Sequence, residues 1–319
     1  MDYAENPYFT EYEKLLIELS HAMRVIDTER ANTIRRQMEG PERQLTDLMI
    51  ERLDGLAADL YMLSGKELFE RTDQADAVPT RLGAELRQAW EREEWQNVLT
   101  LLRKKLPFLS EEHRAYLRAV AYEHLGQINS ASLFMDYAIQ LNQKDETYRY
   151  FGLVYLSQMG EIDKAVIRAR QYIADQDSPL VLLIEAAITL VQTSRNLSMI
   201  EFRNRATEAI PVLIAALNNV DGLAGTPREV IASAYITLGF CLQYMGDIIE
   251  AKVAYNLALK VDPRNDAAQN GLLAIIEQLS RSHPHFSFGV AVPTAASHAE
   301  MSVTQFQTVK ARSIWSPAA

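Results

Sequence analysis

Apolar residues near the start of the chain recur every three or four positions, the spacing that places them on one face of an α-helix. Residues 8–38 are predicted to form one long helix of this kind. Its stripe consists of Leu16, Leu19, Met23 and Ile26. The pair Gly40–Pro41 should then break the chain, because proline has no N–H to continue a helix. A second helix is predicted at 42–64, and the two should pack as an antiparallel hairpin.

From residue 81 onward the apolar pattern predicts shorter helices that occur in pairs. The segment 71–80 (RTDQADAVPT) is polar and contains a proline, so we expect a linker there. The pattern therefore divides the chain into an N-terminal acidic helical hairpin (1–70), the linker, a paired-helix array (81–281) and a tail (282–319). The tail has no helical period and is expected to be disordered.

The paired pattern is clearest at residues 232–265. Its defining residues are Tyr235, Leu238, Gly239, Leu242, Gly246, Ala251, Tyr255, Ala258 and Pro263. Gly239 and Ala251 should be small because the two helices cross closely at these positions. Tyr255 should fill the space between neighbouring pairs, and Pro263 should end the second helix.

This arrangement resembles the tetratricopeptide repeat, a helix-turn-helix unit of about 34 residues. The resemblance implies an all-α chain with a right-handed superhelical array of such repeats, preceded by the long N-terminal helical hairpin. Less faithful copies are predicted at 112–145 and 146–179, a degenerate unit at 83–110 and an irregular pair at 180–220. Residues 267–279 should form the terminal helix that caps the last pair.

The charge of the chain argues against nucleic acid as a partner. The formal net charge is −10, with 32 basic and 42 acidic residues. Residues 1–80 hold 17 acidic and 9 basic residues, and the remainder is nearly balanced. Because binding to phosphate requires a basic surface, nucleic-acid binding is not expected.

Candidate catalytic and metal-binding chemistry is sparse. The single cysteine, Cys241, excludes an internal disulfide and is expected to be a buried thiol rather than a nucleophile. His283 and His285 lack a third ligand, so no metal and no cofactor are predicted. No phosphate-binding glycine loop, nucleophile elbow or zinc-protease motif occurs. We therefore predict that the protein is not an enzyme.

The location of the protein is predicted from the same lack of signals. The first residues, MDYAENPYFTEYEKLL, are polar and acidic, unlike a secretory leader. The most apolar run, 180–191, is shorter than the roughly 20 residues that span a bilayer. A cytoplasmic protein with no membrane insertion is expected.

The resemblance implies that a protein or peptide ligand binds the concave face, which the first helix of each pair lines. The implied partner-binding residues are Ser233, Ile236, Phe240, Gln243, Tyr244, His113, Tyr116, Val120, Glu123, Tyr150 and Val154. Ile236, Phe240 and Tyr244 form one helical stripe. This stripe is either an exposed groove or core that the helices of 180–220 or the N-terminal hairpin cover, and the sequence leaves both alternatives open.

The predicted function is that of an adaptor or scaffold that binds an apolar peptide or helix. One alternative is a signal-responsive regulator that uses the N-terminal hairpin as an output module. Another is a homo-oligomer that assembles through residues 1–70. The tail carries Phe286, Phe288, Phe306 and Trp315, which suggest either a short docking motif or an idle segment that could also fold back into the groove.

Overall fold

The structure, a computed structural model, describes residues 6–63, 78–104, 106–107, 109–194, 197–224 and 226–282. These residues form fifteen α-helices and no strand. The helices are α1 (Pro7–Arg24), α2 (Thr28–Glu42), α3 (Asp47–Met62), α4 (Val78–Glu91), α5 (Trp95–Leu102), α6 (Glu111–His124), α7 (Ile128–Leu141), α8 (Glu146–Gln158), α9 (Ile162–Ala174), α10 (Leu180–Gln192), α11 (Met199–Asn218), α12 (Val220–Leu223), α13 (Arg228–Met245), α14 (Ile248–Val261) and α15 (Asp266–Ser282). The all-α prediction is therefore confirmed.

The described residues form two compact units, one ending at Tyr148 and the other beginning at Arg149. The first unit contains α1 to α7, and the second contains α9 to α15. The boundary falls within α8. The first unit therefore holds both the N-terminal hairpin and the first helix pairs of the predicted array.

Each predicted repeat unit corresponds to a pair of helices. These pairs are α4 with α5, α6 with α7, α8 with α9, α10 with α11, and α13 with α14. The irregular unit at 180–220 has the longer connection between its helices, as its sequence indicates. The predicted cap at 267–279 lies within α15, which packs against α13 and α14.

A single left-handed residue reverses the backbone at five of the helix-to-helix turns. These residues are Ile26 (φ 59°), Glu93 (φ 58°), Gly126 (φ 76°), Gly160 (φ 72°) and Gly246 (φ 100°). At each turn the next N–H donates to the carbonyl five positions earlier, over 2.8–3.1 Å. This bond caps the first helix of the pair. The same turn therefore joins α1 to α2 and the helices of four repeat pairs.

An N-terminal helical hairpin is present, but α1 and α2 form it rather than the predicted helices 8–38 and 42–64. Residues 8–38 are not one helix, because the chain turns at Ile26 between α1 and α2. Asp27 caps α2 by accepting a hydrogen bond from the N–H of Arg30 at 3.0 Å. Ile26 was assigned to the apolar stripe, yet its side chain is 84% exposed.

The predicted break at Gly40–Pro41 lies inside the last turn of α2. Gly40 has no Cβ, which removes part of the clash that a proline imposes on the residue before it. The helix ends one residue later, at Glu42. The third helix, α3, then starts behind Thr46, whose hydroxyl accepts a hydrogen bond from the N–H of Met49. The described residues 6–63 therefore supply three helices, where the sequence predicted two.

We expect Ile26→Gly to stabilise the protein by about 1 kcal/mol. A β-branched residue in the left-handed region carries a conformational cost of roughly 1–2 kcal/mol that glycine avoids. Little apolar burial is lost, because Ile26 is exposed. Urea unfolding followed by circular dichroism would measure the change. Val25→Gly is the control: Val25 has φ −88°, so glycine there should destabilise. Equal effects of the two changes would contradict this account.

Two buried carboxylates attach the N-terminal helices to the repeat pairs of the first unit. Glu13 on α1 accepts bonds from the side chains of Asn129 and Ser130 and from the N–H of Ser130, in the first turn of α7. Burial raises the pKa of Glu13, and these bonds partly oppose that rise. The carboxylate also lies at the positive end of the α7 dipole, which favours its charged form.

Asp59 on α3 has no exposed side-chain surface. Arg103 donates two hydrogen bonds to it, at 2.9 and 3.0 Å, and the hydroxyl of Tyr122 donates another. The guanidinium of Arg118, itself 1% exposed, lies 3.5 Å away. Burial alone would lower the pKa of Arg103, but its bonds to Asp59 raise it. The buried carboxylate of Asp59 therefore fixes α3 to the end of α5 and to α6.

Three predicted segment boundaries need correction or lie outside the described residues. The predicted linker 71–80 is helical from Val78 onward, and its remaining residues are not described. The predicted irregular pair at 180–220 is followed by the short helix α12, which begins at Val220. Residue 282, the first of the predicted tail, still belongs to α15, and residues 283–319 lie outside the described part. Among the described helices, none combines the length and apolarity that crossing a membrane requires.

Candidate functional site

The helices α13 and α14 pack against each other around the ring of Tyr255. Tyr255 is 2% exposed, and its ring lies so close to Gly239 that a Cβ there would sit 3.0 Å from it. A Cβ on Gly271 of α15 would come to 2.4 Å. The predicted close approach at Gly239 therefore has its physical reason in the ring of Tyr255. The second glycine, Gly271, was not recognised from the sequence because it stands outside the repeat.

The predicted binding residues of α13 do not share one environment. Ile236 is half-buried and packs against the core cluster of Ala251, Tyr255 and Ile275. Gln243 accepts a hydrogen bond from the hydroxyl of Tyr255 at 3.2 Å, and Ser233 is half-buried. The stripe Ile236–Phe240–Tyr244 is therefore core at its first residue and surface at its last.

Phe240 and Tyr244 pack with Phe202 of α11, and we name these three residues the aromatic cluster. The ring centroids are 4.6 Å apart for Phe240–Tyr244, 5.3 Å for Phe202–Tyr244 and 5.6 Å for Phe202–Phe240. Phe202 is 5% exposed, Phe240 is half-buried and Tyr244 is 45% exposed. In this cluster the exposed ring of Tyr244 packs against the less exposed rings of Phe240 and Phe202. Phe240 is thus partly covered by α11 of the predicted 180–220 pair, whereas Tyr244 stays exposed.

Phe202 was missed by sequence reasoning, because it belongs to the irregular pair and no repeat position marks it. The available signal was its place on the apolar face of α11, three residues after the exposed Met199. α11 begins with a capping box between Ser198 and Glu201, which fixes where the first turn starts. That cap sets the position of Phe202 beside the end of α13.

Two of the four predicted binding residues in the first unit are core. Tyr116 and Val120 are fully buried. The ring of Tyr116 packs at 5.3 Å from that of Tyr148, and burial raises its pKa well above the ordinary value. His113 lies 2.9 Å from the hydroxyl of Ser110 and is half-buried, as is Glu123. Tyr116 and Val120 were predicted to line the partner-binding surface, but both are fully buried, and Tyr116 packs against Tyr148 at the start of α8.

In the second unit, Tyr150 is 3% exposed and Val154 is half-buried. Tyr150 was also predicted as surface, but its hydroxyl bonds the carboxyl of Glu185 on α10. Glu185 is itself 7% exposed. Burial raises the pKa of Glu185 to about 7, and the bond from Tyr150 partly opposes that rise. The inner helices α8 and α10 therefore meet through a buried polar pair.

Catalytic or metal chemistry finds little support among the described residues. Cys241 is fully buried in the core cluster that α10, α11 and α13 share. No three histidine, cysteine, aspartate or glutamate side chains within the described ranges are placed to hold a metal ion. His283 and His285 lie outside those ranges.

The paired helices with their recurring left-handed turns define a helical-repeat protein. Residues 232–265, which contain Phe240 and Tyr244, match the family described as tetratricopeptide repeat. The resemblance to the tetratricopeptide repeat that was stated from the sequence is therefore confirmed at this unit. Among curated proteins, none matches this chain in sequence.

Several solved structures are similar to this chain. A thermophilic tetratricopeptide repeat protein from Thermus thermophilus is 17% identical, with 53% of this chain and 84% of that chain covered and a TM-score of 0.40. The apo form of the quorum sensor NprR from B. thuringiensis is 13% identical, with 86% and 82% covered and a TM-score of 0.42. A tetratricopeptide repeat protein from Parabacteroides merdae is 14% identical, with 83% and 98% covered and a TM-score of 0.40. Scores at this level do not bear on what this chain binds.

Proposed function

We propose that this protein is a non-enzymatic adaptor or scaffold that binds an apolar peptide or helix at the aromatic cluster. The observation that carries the proposal is the exposed side chain of Tyr244, which packs against Phe240 and Phe202. An exposed aromatic on a buried aromatic base is the kind of anchor that dominates protein interfaces. The proposed site keeps Phe240, Gln243 and Tyr244 from the predicted set and adds Phe202.

The proposed ligand is apolar because Phe202, Phe240 and Tyr244 offer uncharged aromatic surface. The neighbouring Met199, Ile200 and Met245 are also exposed. Apolar and aromatic surface left open at the end of paired helices favours burial against a partner. Methionine side chains adapt to ligands of different shape. A ligand that buries Tyr244 would therefore be recognised by shape and apolar surface rather than by charge.

Selection from a displayed library of short peptides would test the proposal with the full-length chain as bait. We expect enriched peptides to carry apolar residues at helical spacing and to bind Tyr244→Ser at least about tenfold more weakly, since loss of an interface anchor costs roughly 2 kcal/mol or more. Tyr8→Ser is the matched control, because Tyr8 is also 45% exposed but lies on α1. Peptides that bind both variants like the wild type would contradict the proposed site.

Self-association through residues 1–70 is the alternative that one observation favours. Met23, Val25 and Ile26 are all more than half exposed at the turn between α1 and α2. Such a tip could contact another chain and make the hairpin an assembly or output module. Light scattering on the full chain would show a dimer that Val25→Asp dissociates if this alternative holds. The cytoplasmic location and the absence of nucleic-acid binding stay predictions.

A further inference from the structure

Apolar side chains lie exposed around the turn between α13 and α14. Tyr244 is 45% exposed, Met245 39% and Ile249 77%. Leu279, near the end of α15, is 44% exposed. We name these four residues the terminal patch.

The helix α15 carries the chain to this end of the unit. α14 and α15 are joined by the four residues 262–265 and pack against each other, so they run in opposite directions. Ile248, the first residue of α14, packs in the same cluster as Leu272 and Ile275 of α15. Each further residue of α15 adds about 1.5 Å along the helix axis. The end of α15, with Leu279, therefore lies beyond the start of α14, on the side of the turn between α13 and α14.

The apolar face of α15 extends past its partner helix. Ile275 is fully buried, whereas Leu279, about one turn later on the same face, is 44% exposed. The reason is that the antiparallel α14 begins at Ile248 and does not extend alongside Leu279. The structure thus leaves an apolar face uncovered within three residues of the point where the chain leaves α15.

The sequence that follows has one apolar side when it is extended. Pro284 opposes continuation of the helix, and Phe286, Phe288 and Val290 occupy every second position after it. In an extended chain alternate side chains point to the same side. Residues 281–290 contain Arg281, His283 and His285 but no acidic residue, whereas Asp247 and Glu250 are exposed beside the terminal patch.

We propose that residues 283–290 pack on the terminal patch and cover Tyr244 in the free protein. Phe286 is four residues beyond Ser282, which allows at most about 14 Å, and the whole segment spans at most about 28 Å. With this reach Phe286 can extend past Leu279. Residues 287–290 can then extend across the turn between α13 and α14. The docked segment would compete with a ligand for Tyr244. This consequence rests on the proposed function, whereas the docking itself does not.

Thiol cross-linking in the full chain tests the docking. Lys252→Cys, one turn into α14, or Lys260→Cys, about 12 Å further along the same helix, is combined with Gly289→Cys. Native Cys241 is fully buried and should not react. A short bifunctional reagent should link the new thiol at position 289 to position 252 at least about fivefold more than to position 260, because docking raises the local concentration at one site. Phe286→Ser with Phe288→Ser should abolish this preference, and Phe306→Ser should preserve it.

Equal yields at the two positions, or links that form only between two chains, would overturn the docking. Peptides obtained with the selection above test its consequence. They should bind Phe286→Ser/Phe288→Ser several-fold more tightly than the wild type, since the competent fraction of the site rises. Unchanged affinity would overturn the coverage of Tyr244. If no variant binds any peptide while the preference for position 252 persists, the proposed function fails and the docking stands.

Discussion

Replacing Asp59 with alanine should destabilise the first compact unit by about 3–5 kcal/mol, the usual cost of removing one partner from a buried ion pair. Asp59 is the shared acceptor for Arg103 and Tyr122 and the counter-ion of Arg118. Without it, the guanidinium of Arg118 would stay buried with no carboxylate beside it. The loss is a large share of the roughly 5–15 kcal/mol that stabilises an ordinary domain.

Tryptophan fluorescence during urea unfolding reports this change, because Trp90 and Trp95 both lie in the first unit. Asp54→Ala is the matched control on the same helix. Asp54 is exposed, so its removal should change the unfolding free energy by less than about 0.5 kcal/mol. A similar small change for Asp59→Ala would show that the network around it does not hold α3 to α5 and α6.

Replacing Glu185 with glutamine should remove a pH dependence from the stability of the second unit. The pKa of Glu185 is raised from 4.5 to about 7, chiefly because the carboxyl is buried. A raised carboxyl pKa favours the folded state below the unfolded value and loses that contribution as the pH rises through the folded value. Between about pH 5 and 8 the wild type should therefore lose about 2–3 kcal/mol relative to Glu185→Gln.

Circular dichroism of urea unfolding at several pH values measures this difference. Other groups titrate in the same range, but they titrate alike in both proteins and cancel in the comparison. Glutamine keeps an oxygen that accepts from Tyr150, so the packing of α8 on α10 is retained. Glu229→Gln, an exposed change in the first turn of α13, should leave the profile of the wild type unchanged. A constant difference between wild type and Glu185→Gln across this range would contradict the raised pKa.

The helix pairs could be predicted because their signals are local. Gly126, Gly160 and Gly246 mark turns that need a left-handed residue, and only glycine adopts that region without cost. Where the turn residue is not glycine, as at Ile26 and Glu93, the same geometry gave no such signal. Ile26 instead continued an apolar period, which is why two helices were predicted as one. The two glycines that pack against Tyr255 differ in the same respect. Gly239 lies within the repeat and could be predicted, whereas Gly271 lies outside it and could not.

The candidate site was predictable only in part. The repeat register identifies which residues of α13 face away from α14, and among them Phe240 and Tyr244 belong to the aromatic cluster. It does not say what another helix places over them. Phe202 comes from the irregular pair, and the burial of Tyr116, Val120 and Tyr150 depends on residues of other helices.

The sequence by itself determined the all-helical class, the pairing of helices and the repeat at 232–265, because each follows from spacing and turn residues close together in the chain. Only the tertiary structure decided where the N-terminal helices attach and which aromatic side chains stay open. Glu13 meets Ser130 across 117 positions, and Asp59 meets Tyr122 across 63. Such contacts depend on packing between distant elements, and a local apolar period does not encode which buried acid will find which partner.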